Sequence, residues 1–267
     1  MASEYFRIKR FDPTKIKPNR AFLFIGKKGT GKTTLMRDIL YYHRRIPDGV
    51  VMTATNVDYW SEVVPRSFVF EEYEPSVLKR IVTRQVRKGE QTRPSTMVLL
   101  DDVMYDKNIG KDKNLRGILM NQRHWKIAFF FAMQYAMDIP PALRSNIDYV
   151  FICREPIQRN REVLYKNFFG VFPTYKLFCD AMDAYTRNYE CLVLDNTVQS
   201  NSVMDCVFAH KAPHPIPRFK VGNSWFWKLH HASQKKKKTA SNTDDLTQDL
   251  SLEFQDTRSG MKMAYAK

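Results

Sequence analysis

Cysteine is scarce in this chain, and long apolar runs are missing. The 267 residues include 4 cysteines, at Cys153, Cys179, Cys191 and Cys206, and none of them form a C-x-x-C pair. Because disulfide frameworks belong to short, cysteine-dense secreted chains, we expect reduced thiols in a cytosol-like compartment. No apolar run approaches a membrane span, and the polar start MASEYFRIKR does not resemble a signal peptide. The sequence therefore predicts a soluble, intracellular protein without a membrane span.

Acidic residues are outnumbered by basic ones. The chain has 43 Lys and Arg residues against 28 Asp and Glu residues, giving a formal net charge of +15. Such a field attracts polyanions, of which nucleic acid is the commonest. Hydrophobic residues make up 43% and aromatic residues 13%, so most of the chain is expected to fold. We predict an N-terminal extension over 1–20, a folded domain over 21–231 and a disordered lysine-rich tail over 232–267.

Short apolar runs alternate with helical patterns, which is typical of a parallel sheet with crossover helices. Predicted strands are Ala21–Ile25, Val50–Thr53, Phe68–Phe70, Met97–Leu100, Ile127–Met133, Tyr149–Cys153, Glu190–Leu194 and Val207–His210. Predicted helices are Lys32–Arg44, Pro75–Lys88, Leu115–Trp125, Gln158–Phe169 and Tyr175–Tyr185. Trp225, Phe226 and Trp227 are expected to dock the end of the chain by burying aromatic area. The pattern predicts an α/β fold with a mainly parallel central sheet flanked by helices and a core reaching to about residue 155.

The sequence GKKGTGKT fits the phosphate-binding pattern GxxxxGK[ST], and an apolar strand precedes it while a helix follows. Glycines let successive backbone N–H groups point at phosphates, and the helix N-terminus adds its positive end. The candidate nucleotide-binding residues are Gly26, Lys27, Lys28, Gly29, Thr30, Gly31, Lys32, Thr33 and Thr34. Lys32 is expected to bridge the β- and γ-phosphates of ATP, and the Thr33 hydroxyl to bind Mg²⁺.

Two adjacent acids end the apolar strand MVLL. In enzymes with this phosphate loop, the strand places the first acid beside the metal, while the second can polarise an attacking water. We therefore assign Asp101 to magnesium and Asp102 to water activation. A pair of acids that only caps a strand-to-helix loop is the alternative.

Three further polar residues are candidates for the catalytic site. Gln134 ends the strand Ile127–Met133, where an amide can hydrogen-bond the γ-phosphate or the water, although an exposed loop glutamine is the alternative. Arg123 precedes that strand and Arg144 follows it, and either could stabilise charge at a neighbouring subunit's γ-phosphate. A solvated arginine is the alternative for each.

Three segments together resemble a known family. They are GKKGTGKTTLMRDIL, MVLLDDVMYDK and FFFAMQYAMDIPPALRSNIDYVFICRE. They are similar to the genome-packaging ATPases of large nucleocytoplasmic DNA viruses, the poxvirus-like packaging ATPase group among the FtsK–HerA-type motors. The resemblance covers about Phe22 to Glu155, and the glutamine strand with the Pro140-Pro141 segment is more specific than the phosphate loop.

The resemblance implies a RecA-like core, a homo-oligomeric ring and ATP-driven movement of double-stranded DNA into a preformed capsid. It carries phosphate binding onto Gly26–Thr33, the metal and water roles onto Asp101 and Asp102, and the sensor role onto Gln134. It also implies a capsid or membrane-associated virion component as partner. The expected location is the virus factory in the host cytoplasm, with the virion as a second location.

A motor that must pass every sequence should hold DNA by its phosphates rather than by its bases. Candidate DNA contacts follow the acidic pair or lie in the tail: Lys107, Lys111, Lys113, Arg116 and Lys235–Lys238. Solvated charge is the alternative for both groups.

Other functions remain open at this point. A nucleoside or nucleotide kinase shares the phosphate loop, but adjacent aspartates followed by a glutamine-tipped strand favour water as the acceptor. A ring ATPase that remodels protein also fits, and the positive charge favours DNA only modestly. A non-enzymatic nucleic-acid binder leaves the intact phosphate loop unexplained.

Overall fold

The computed structural model describes residues 7–103, 109–135 and 141–239. The strands are β1 Lys9–Arg10, β2 Ala21–Ile25, β3 Gly49–Thr53, β4 Val69–Phe70, β5 Thr96–Asp101, β6 Ile127–Met133, β7 Tyr149–Ile152, β8 Cys191–Asp195 and β9 Val207–His210. The α-helices are α1 Lys32–Tyr42, α2 Val57–Ser61, α3 Pro75–Arg87, α4 Lys113–Asn121, α5 Pro141–Arg144, α6 Gln158–Asn167, α7 Tyr175–Tyr185, α8 Val203–Cys206 and α9 Ser224–Thr239. Helices and strands therefore alternate as the sequence pattern predicts.

The strands form one mostly parallel sheet in the order β1-β9-β8-β7-β2-β6-β5-β3-β4. β2 lies between β6 and β7 and runs parallel to both. β8 pairs antiparallel with β7 on one side and with β9 on the other. Among the strands that the structure describes, β8 is thus the one that runs against the rest. The predicted α/β fold with a mainly parallel sheet is confirmed.

The core lies on the central strands, whose side chains are buried on both faces. All the residues of β2, β5 and β6 are buried. Phenylalanines stack across neighbouring strands: Phe22 lies 4.5 Å from Phe130, and Phe24 lies 4.7 Å from Phe151, between ring centroids. Burying such rings is the main stabilising term for the sheet, at about 25 cal/mol per Å² of apolar surface. This rigid centre fixes the loops at the carboxyl ends of β2, β5 and β6.

The segment predicted as an N-terminal extension is in part a strand of the sheet. Lys9 and Arg10 pair in parallel with Phe208 and Ala209 of β9. Phe11 then packs its ring edge against Phe151 at 5.7 Å. Only two residues form the strand, too few to give an apolar or alternating pattern, so its pairing depends on tertiary contacts.

The boundary predicted at residue 232 is also wrong for the first residues of the tail. α9 runs from Ser224 to Thr239, so the lysines at 235–238 lie in a helix. The segment contains no glycine or proline, and lysine is a good helix former, which allows the helix to continue. The contacts divide the chain into a unit ending at Phe226 and a second unit beginning at Trp227. Within the first unit, Phe226 is fully buried with its ring 4.3 Å from that of Phe68, as expected for a docking aromatic, whereas Trp225, predicted to dock with it, is 37% exposed.

The helix predicted over 115–125 ends earlier than expected. α4 begins at Lys113, after an Asp112 cap, and ends at Asn121. Lys126 has a φ of 51°, a left-handed conformation that turns the chain into β6. The apolar residues up to Trp125 continue a helical spacing, and that spacing alone does not reveal the turn.

Candidate active site

The phosphate loop joins β2 to α1 at the centre of the sheet. The Gly26 N–H donates to the Met133 carbonyl at 3.2 Å, which ties the start of the loop to the end of β6. A Cβ at Gly26 would lie 2.6 Å from Thr30 Oγ1 and 2.7 Å from Cys153 Cβ, so this position requires glycine. Gly31, with a φ of 92°, precedes the first residue of α1 in a left-handed conformation. The loop therefore places backbone N–H groups at the N-terminus of a buried helix, as an anion site requires.

Lys32 lies inside this loop. Its side chain is 5% exposed, and its ammonium donates to the Lys27 carbonyl at 3.2 Å. The Thr30 hydroxyl donates to the same carbonyl at 2.8 Å, which closes the loop around the lysine. A buried ammonium held by one neutral acceptor is suited to an anionic ligand, because a phosphate would compensate its charge. Lys28 and Gly29 are exposed at the tip of the loop.

Thr33 and Asp101 meet across the site. The Thr33 hydroxyl donates to Asp101 at 3.0 Å from Oδ2 and 3.2 Å from Oδ1. Asp101 is the last residue of β5 and is fully buried. Burial raises the pKa of its carboxyl, while hydrogen bonds from Trp60, Thr33 and Asn56 lower it. The sequence predicted both residues as metal ligands, and the structure brings them together.

Two further donors to Asp101 were not predicted from the sequence. The Trp60 indole N–H donates to Oδ2 at 2.9 Å, and Asn56 Nδ2 donates to the same oxygen at 3.0 Å. Both residues follow β3, whose last residue Thr53 is the register partner of Asp101. The parallel pairing of β3 with β5 is the signal that could have indicated them, because polar residues after neighbouring strands meet at one edge.

Asp102 comes directly after β5 and has a φ of 59°. A left-handed conformation is uncommon for a residue other than glycine, and such strained residues cluster at functional sites. Asp102 is half-buried, in contrast to the fully buried Asp101. The turn thus separates the two acids: one faces Thr33 inside the sheet edge, and the other is accessible to solvent.

Gln134 lies at the carboxyl end of β6, between the strand of the phosphate loop and the strand of the acids. Ile25 pairs with Met133 on one side of β6, and Leu100 pairs with Phe131 on the other. The Gln134 side chain is exposed. This placement suits the predicted sensor role, which stays a prediction.

The other side of the phosphate loop is lined by the end of β7. Burial raises the pKa of the Cys153 thiol to about 11, so this cysteine stays neutral and is not a nucleophile at neutral pH. Two residues further on, the buried Glu155 pairs with the Lys27 ammonium at 3.4 Å. Glu155 also accepts from Asn160 Nδ2 at 3.0 Å, which links the loop to α6. Neither contact was foreseen from the sequence.

The arginines proposed for a trans role both have partners in their own subunit. Arg123 pairs with the buried Asp148, which precedes β7 and accepts from the Ala21 N–H at 2.9 Å. This is the amino end of the strands, and β6 alone separates it from the loop by about 20 Å. Arg144 ends α5 and donates to the Asn167 side-chain oxygen at 2.6 Å. Arg123 is therefore too far from the phosphate loop of its own subunit to act there, and a trans role for either arginine stays a prediction.

The candidate DNA contacts are partly described. Lys111, Lys113 and Arg116 are all exposed, on the segment that leads into α4 and on α4 itself. Lys107 lies outside the described residues, and the side chains of Lys235–Lys238 are also outside the described part. No helix among the described residues has the length and apolarity needed to cross a membrane.

Comparison with known proteins identifies the family. The model of the family described as "Poxvirus A32 protein" matches residues 8–212. The chain belongs to this family. Membership confirms the resemblance seen in the sequence and, with it, the expected class: a viral DNA-packaging ATPase with a P-loop fold.

Relatives in other large DNA viruses span most of the chain. An uncharacterized protein, 088R, of Invertebrate iridescent virus 3 is 35% identical over 234 residues, which is 81% of this chain and 90% of that protein. An uncharacterized protein, 015R, of Frog virus 3 is 37% identical over 71% of this chain and 61% of that protein.

Solved structures of low identity to this chain have the same fold, and B204 is an example. B204, the DNA-packaging ATPase of Sulfolobus turreted icosahedral virus, superposes with a TM-score of 0.53 at 14% identity, covering 74% of this chain and 100% of B204. At this identity the likeness concerns the fold alone.

Proposed function

We propose that this protein hydrolyses ATP with Mg²⁺ and uses the energy to move double-stranded DNA into a preformed capsid. The observation that carries the proposal is the contact between the Thr33 hydroxyl and the Asp101 carboxylate at 3.0 Å, beside the buried Lys32. It joins the phosphate loop to the acidic strand, as a metal-dependent nucleotide site requires.

The donor set fits a magnesium ion. Mg²⁺ prefers oxygen ligands in an octahedron, and adjacent ligands of such an ion lie about 3 Å apart. Thr33 Oγ1 and the Asp101 oxygens are separated by 3.0 and 3.2 Å. When bound, the ion would neutralise the charge on the phosphate oxygens. Asp101 is held for this role by Trp60 and Asn56, which both donate to its Oδ2.

Lys32, Asp102 and Gln134 supply the remaining parts of the reaction. Lys32 exchanges the Lys27 carbonyl for the β- and γ-phosphates and stabilises their charge in a desolvated position. Asp102, half-buried beyond the strand end, accepts a proton from the attacking water. Gln134, at the tip of the strand between the two, orients that water or the γ-phosphate.

A ring would complete the site. An arginine that acts on a neighbouring subunit's γ-phosphate requires a head-to-tail assembly, and Arg123, at the amino end of the strands, could act in no other way. The ion pair with Asp148 gives Arg123 a structural role in its own subunit. We therefore propose Arg144 as the first arginine to test for action in trans.

Contact with DNA is proposed for the exposed lysines and arginine at 111, 113 and 116. They follow the acidic pair along the chain, so movement at the nucleotide can reach them through a short connection. Phosphate contacts without base readout allow passage of any sequence. The partners proposed beyond DNA are further copies of the chain and a capsid or membrane-associated virion component. The proposed place of action is the virus factory in the host cytoplasm.

Phosphate release from ATP, measured with and without double-stranded DNA, separates this function from its rivals. The proposal predicts release that DNA stimulates and that Lys32→Ala abolishes. Transfer of phosphate to a nucleoside or nucleotide, with little release to water, would instead identify a kinase. Release stimulated only by protein would identify a remodelling ATPase.

A further inference from the structure

A tyrosine that is distant along the chain lies against the start of the phosphate-binding helix. Tyr189 precedes β8, and because β8 runs against β7, this turn reaches the same edge of the sheet as the phosphate loop. A Cβ at Gly31 would lie 3.4 Å from Tyr189 Cδ1, so the ring borders the backbone that leads into α1. The ring is nevertheless 69% exposed, which is unusual for so large an aromatic side chain.

The turn that carries this ring has a backbone conformation that is unfavourable for tyrosine. Asn188 has a φ of 51° and Tyr189 a φ of 63°, while the Glu190 N–H donates to the Arg187 carbonyl at 2.9 Å. Two left-handed central residues are the pattern of a type I′ turn, in which glycine is favoured at the second central position. Tyrosine occupies that position here. The Glu190 carboxylate, paired with Arg10 at 2.9 Å, and the buried Cys191 fix the residues that follow.

The ring lies where the sugar and base of a nucleotide would extend, and the phosphate loop and acidic pair provide no contact for these groups. In a phosphate loop, the lysine reaches the β- and γ-phosphates while the backbone amides cradle the α- and β-phosphates. The sugar and the base must therefore extend from the α-phosphate, past the residues that open α1. An exposed aromatic face beside Gly31 offers a base a stacking surface that is tolerant of its identity.

We propose that the Tyr189 ring stacks on the base of the bound nucleoside triphosphate. This inference rests on the proposed function only in requiring that Gly26–Thr33 bind the phosphates. It assigns to Tyr189 a binding role that no part of the phosphate-loop motif provides.

The test compares two ligands, Mg-ATP and magnesium tripolyphosphate, which has the phosphates without sugar or base. Tyr189→Ala should weaken ATP binding by about tenfold, whereas Tyr189→Phe should bind like the unaltered protein. Tripolyphosphate binding should be the same in all three proteins. Tyr189→Gly is the sharper variant, because glycine suits the left-handed turn: it should unfold at the same or a higher temperature and yet lose the same ATP affinity.

The controls separate this inference from the proposed function. Tyr42→Ala removes another exposed tyrosine at the far end of α1 and should leave ATP binding unchanged. Lys32→Ala should lose both ligands. Equal losses for ATP and tripolyphosphate in Tyr189→Ala, or no loss in Tyr189→Gly, would overturn the stacking role. If the unaltered protein bound neither ligand, the proposed function itself would fail.

Discussion

The Thr33 hydroxyl donates to a carboxylate that is fully buried, Asp101, at 3.0 Å from Oδ2. Burying a carboxylate is unfavourable unless donors or a cation compensate it. Three side chains supply the donors: Thr33 from α1, Asn56 from the loop after β3 and Trp60 from α2. The site is thus assembled from separate parts of the sheet edge, and a cation bound beside Asp101 would remove the remaining electrostatic cost.

Trp60→Phe should weaken magnesium use without removing it. The change deletes one donor to Asp101, so the carboxyl pKa rises further and a bound metal ion must displace a proton more often. We expect the Mg²⁺ concentration for half-maximal ATP hydrolysis to rise severalfold, with little change in the rate at saturating Mg²⁺. Trp225→Phe, at a partly exposed tryptophan, is the matched control. An unchanged Mg²⁺ dependence would show that the Trp60 hydrogen bond does not support the metal site.

Arg123→Ala should act mainly on stability. It leaves the buried Asp148 without its ion pair to this arginine, although Arg20 at 3.6 Å and the Ala21 N–H at 2.9 Å remain. We expect the free energy of unfolding to fall by about 1–2 kcal/mol in urea titrations. Lys166→Ala, which breaks an exposed helical pair with Glu162, should change it by about 0.5 kcal/mol or less. Equal effects of the two variants would contradict the structural role.

Arg144→Ala should lower ATP turnover while leaving ATP affinity intact. The reason is that the guanidinium would stabilise transition-state charge at a neighbour's γ-phosphate. We expect the turnover rate to fall by about a hundredfold or more. Turnover should recover partly when Arg144→Ala subunits are mixed with Asp102→Asn subunits, because each then supplies what the other lacks. Absence of recovery in such mixtures would reject action in trans.

His43 should make the fold sensitive to acid. Burial lowers the pKa of His43 to about 4, and its ring packs 5.3 Å from that of Phe22. The unfolded chain takes up the proton near pH 6.5 and the folded one only near pH 4, so stability falls as the pH drops between these values, by about 3 kcal/mol in all. His43→Leu should abolish this part of the acid loss in urea titrations at pH 7 and pH 4.5. The control His124→Leu, at an exposed histidine, should lose as much stability between pH 7 and pH 4.5 as the unaltered protein. If His43→Leu lost as much stability as the unaltered protein, His43 would not be the cause of the acid sensitivity.

Replacing the exposed basic residues 111, 113 and 116 with glutamine should weaken DNA binding at every sequence. Each lost phosphate contact should reduce the slope of log affinity against log salt by about 0.9. Basal ATP hydrolysis should be unchanged, while its stimulation by DNA falls. Arg159, Lys166 and Lys176, changed together to glutamine, form the control of equal charge on α6 and α7. If both triple variants lost the same amount of DNA affinity, the loss would reflect total charge rather than a contact surface.

Local patterns predicted much of the fold. Ala21–Ile25, Ile127–Met133 and Tyr175–Tyr185 have the bounds that periodicity indicated, because long apolar or amphipathic runs leave few alternatives. The two-residue β1 escaped detection because its register depends on β9, nearly two hundred positions along the chain. The extension of α9 to Thr239 was missed because a lysine run signals solvation without distinguishing helix from coil.

Local patterns also predicted part of the candidate site, while other parts depend on tertiary contacts. The phosphate loop and the acidic pair follow fixed spacings around strand ends, so sequence alone locates them. Asn56 and Trp60 reach Asp101, and Tyr189 lies beside Gly31, through pairing between distant strands, which no local spacing encodes. The ion pair of Arg123 with Asp148 likewise forms only in the folded sheet, so the sequence position of Arg123 did not reveal this structural contact.

Phosphate release from Mg-ATP by the unaltered protein and by Asp102→Asn, each with saturating double-stranded DNA, tests the central claim most directly. The account predicts DNA-stimulated release by the unaltered protein. It predicts a fall of about a hundredfold or more in Asp102→Asn, with ATP still bound. Asp180→Asn, at an exposed acid of α7, should release phosphate at the unaltered rate. Full release by Asp102→Asn, or none by the unaltered protein with DNA present, would contradict the account.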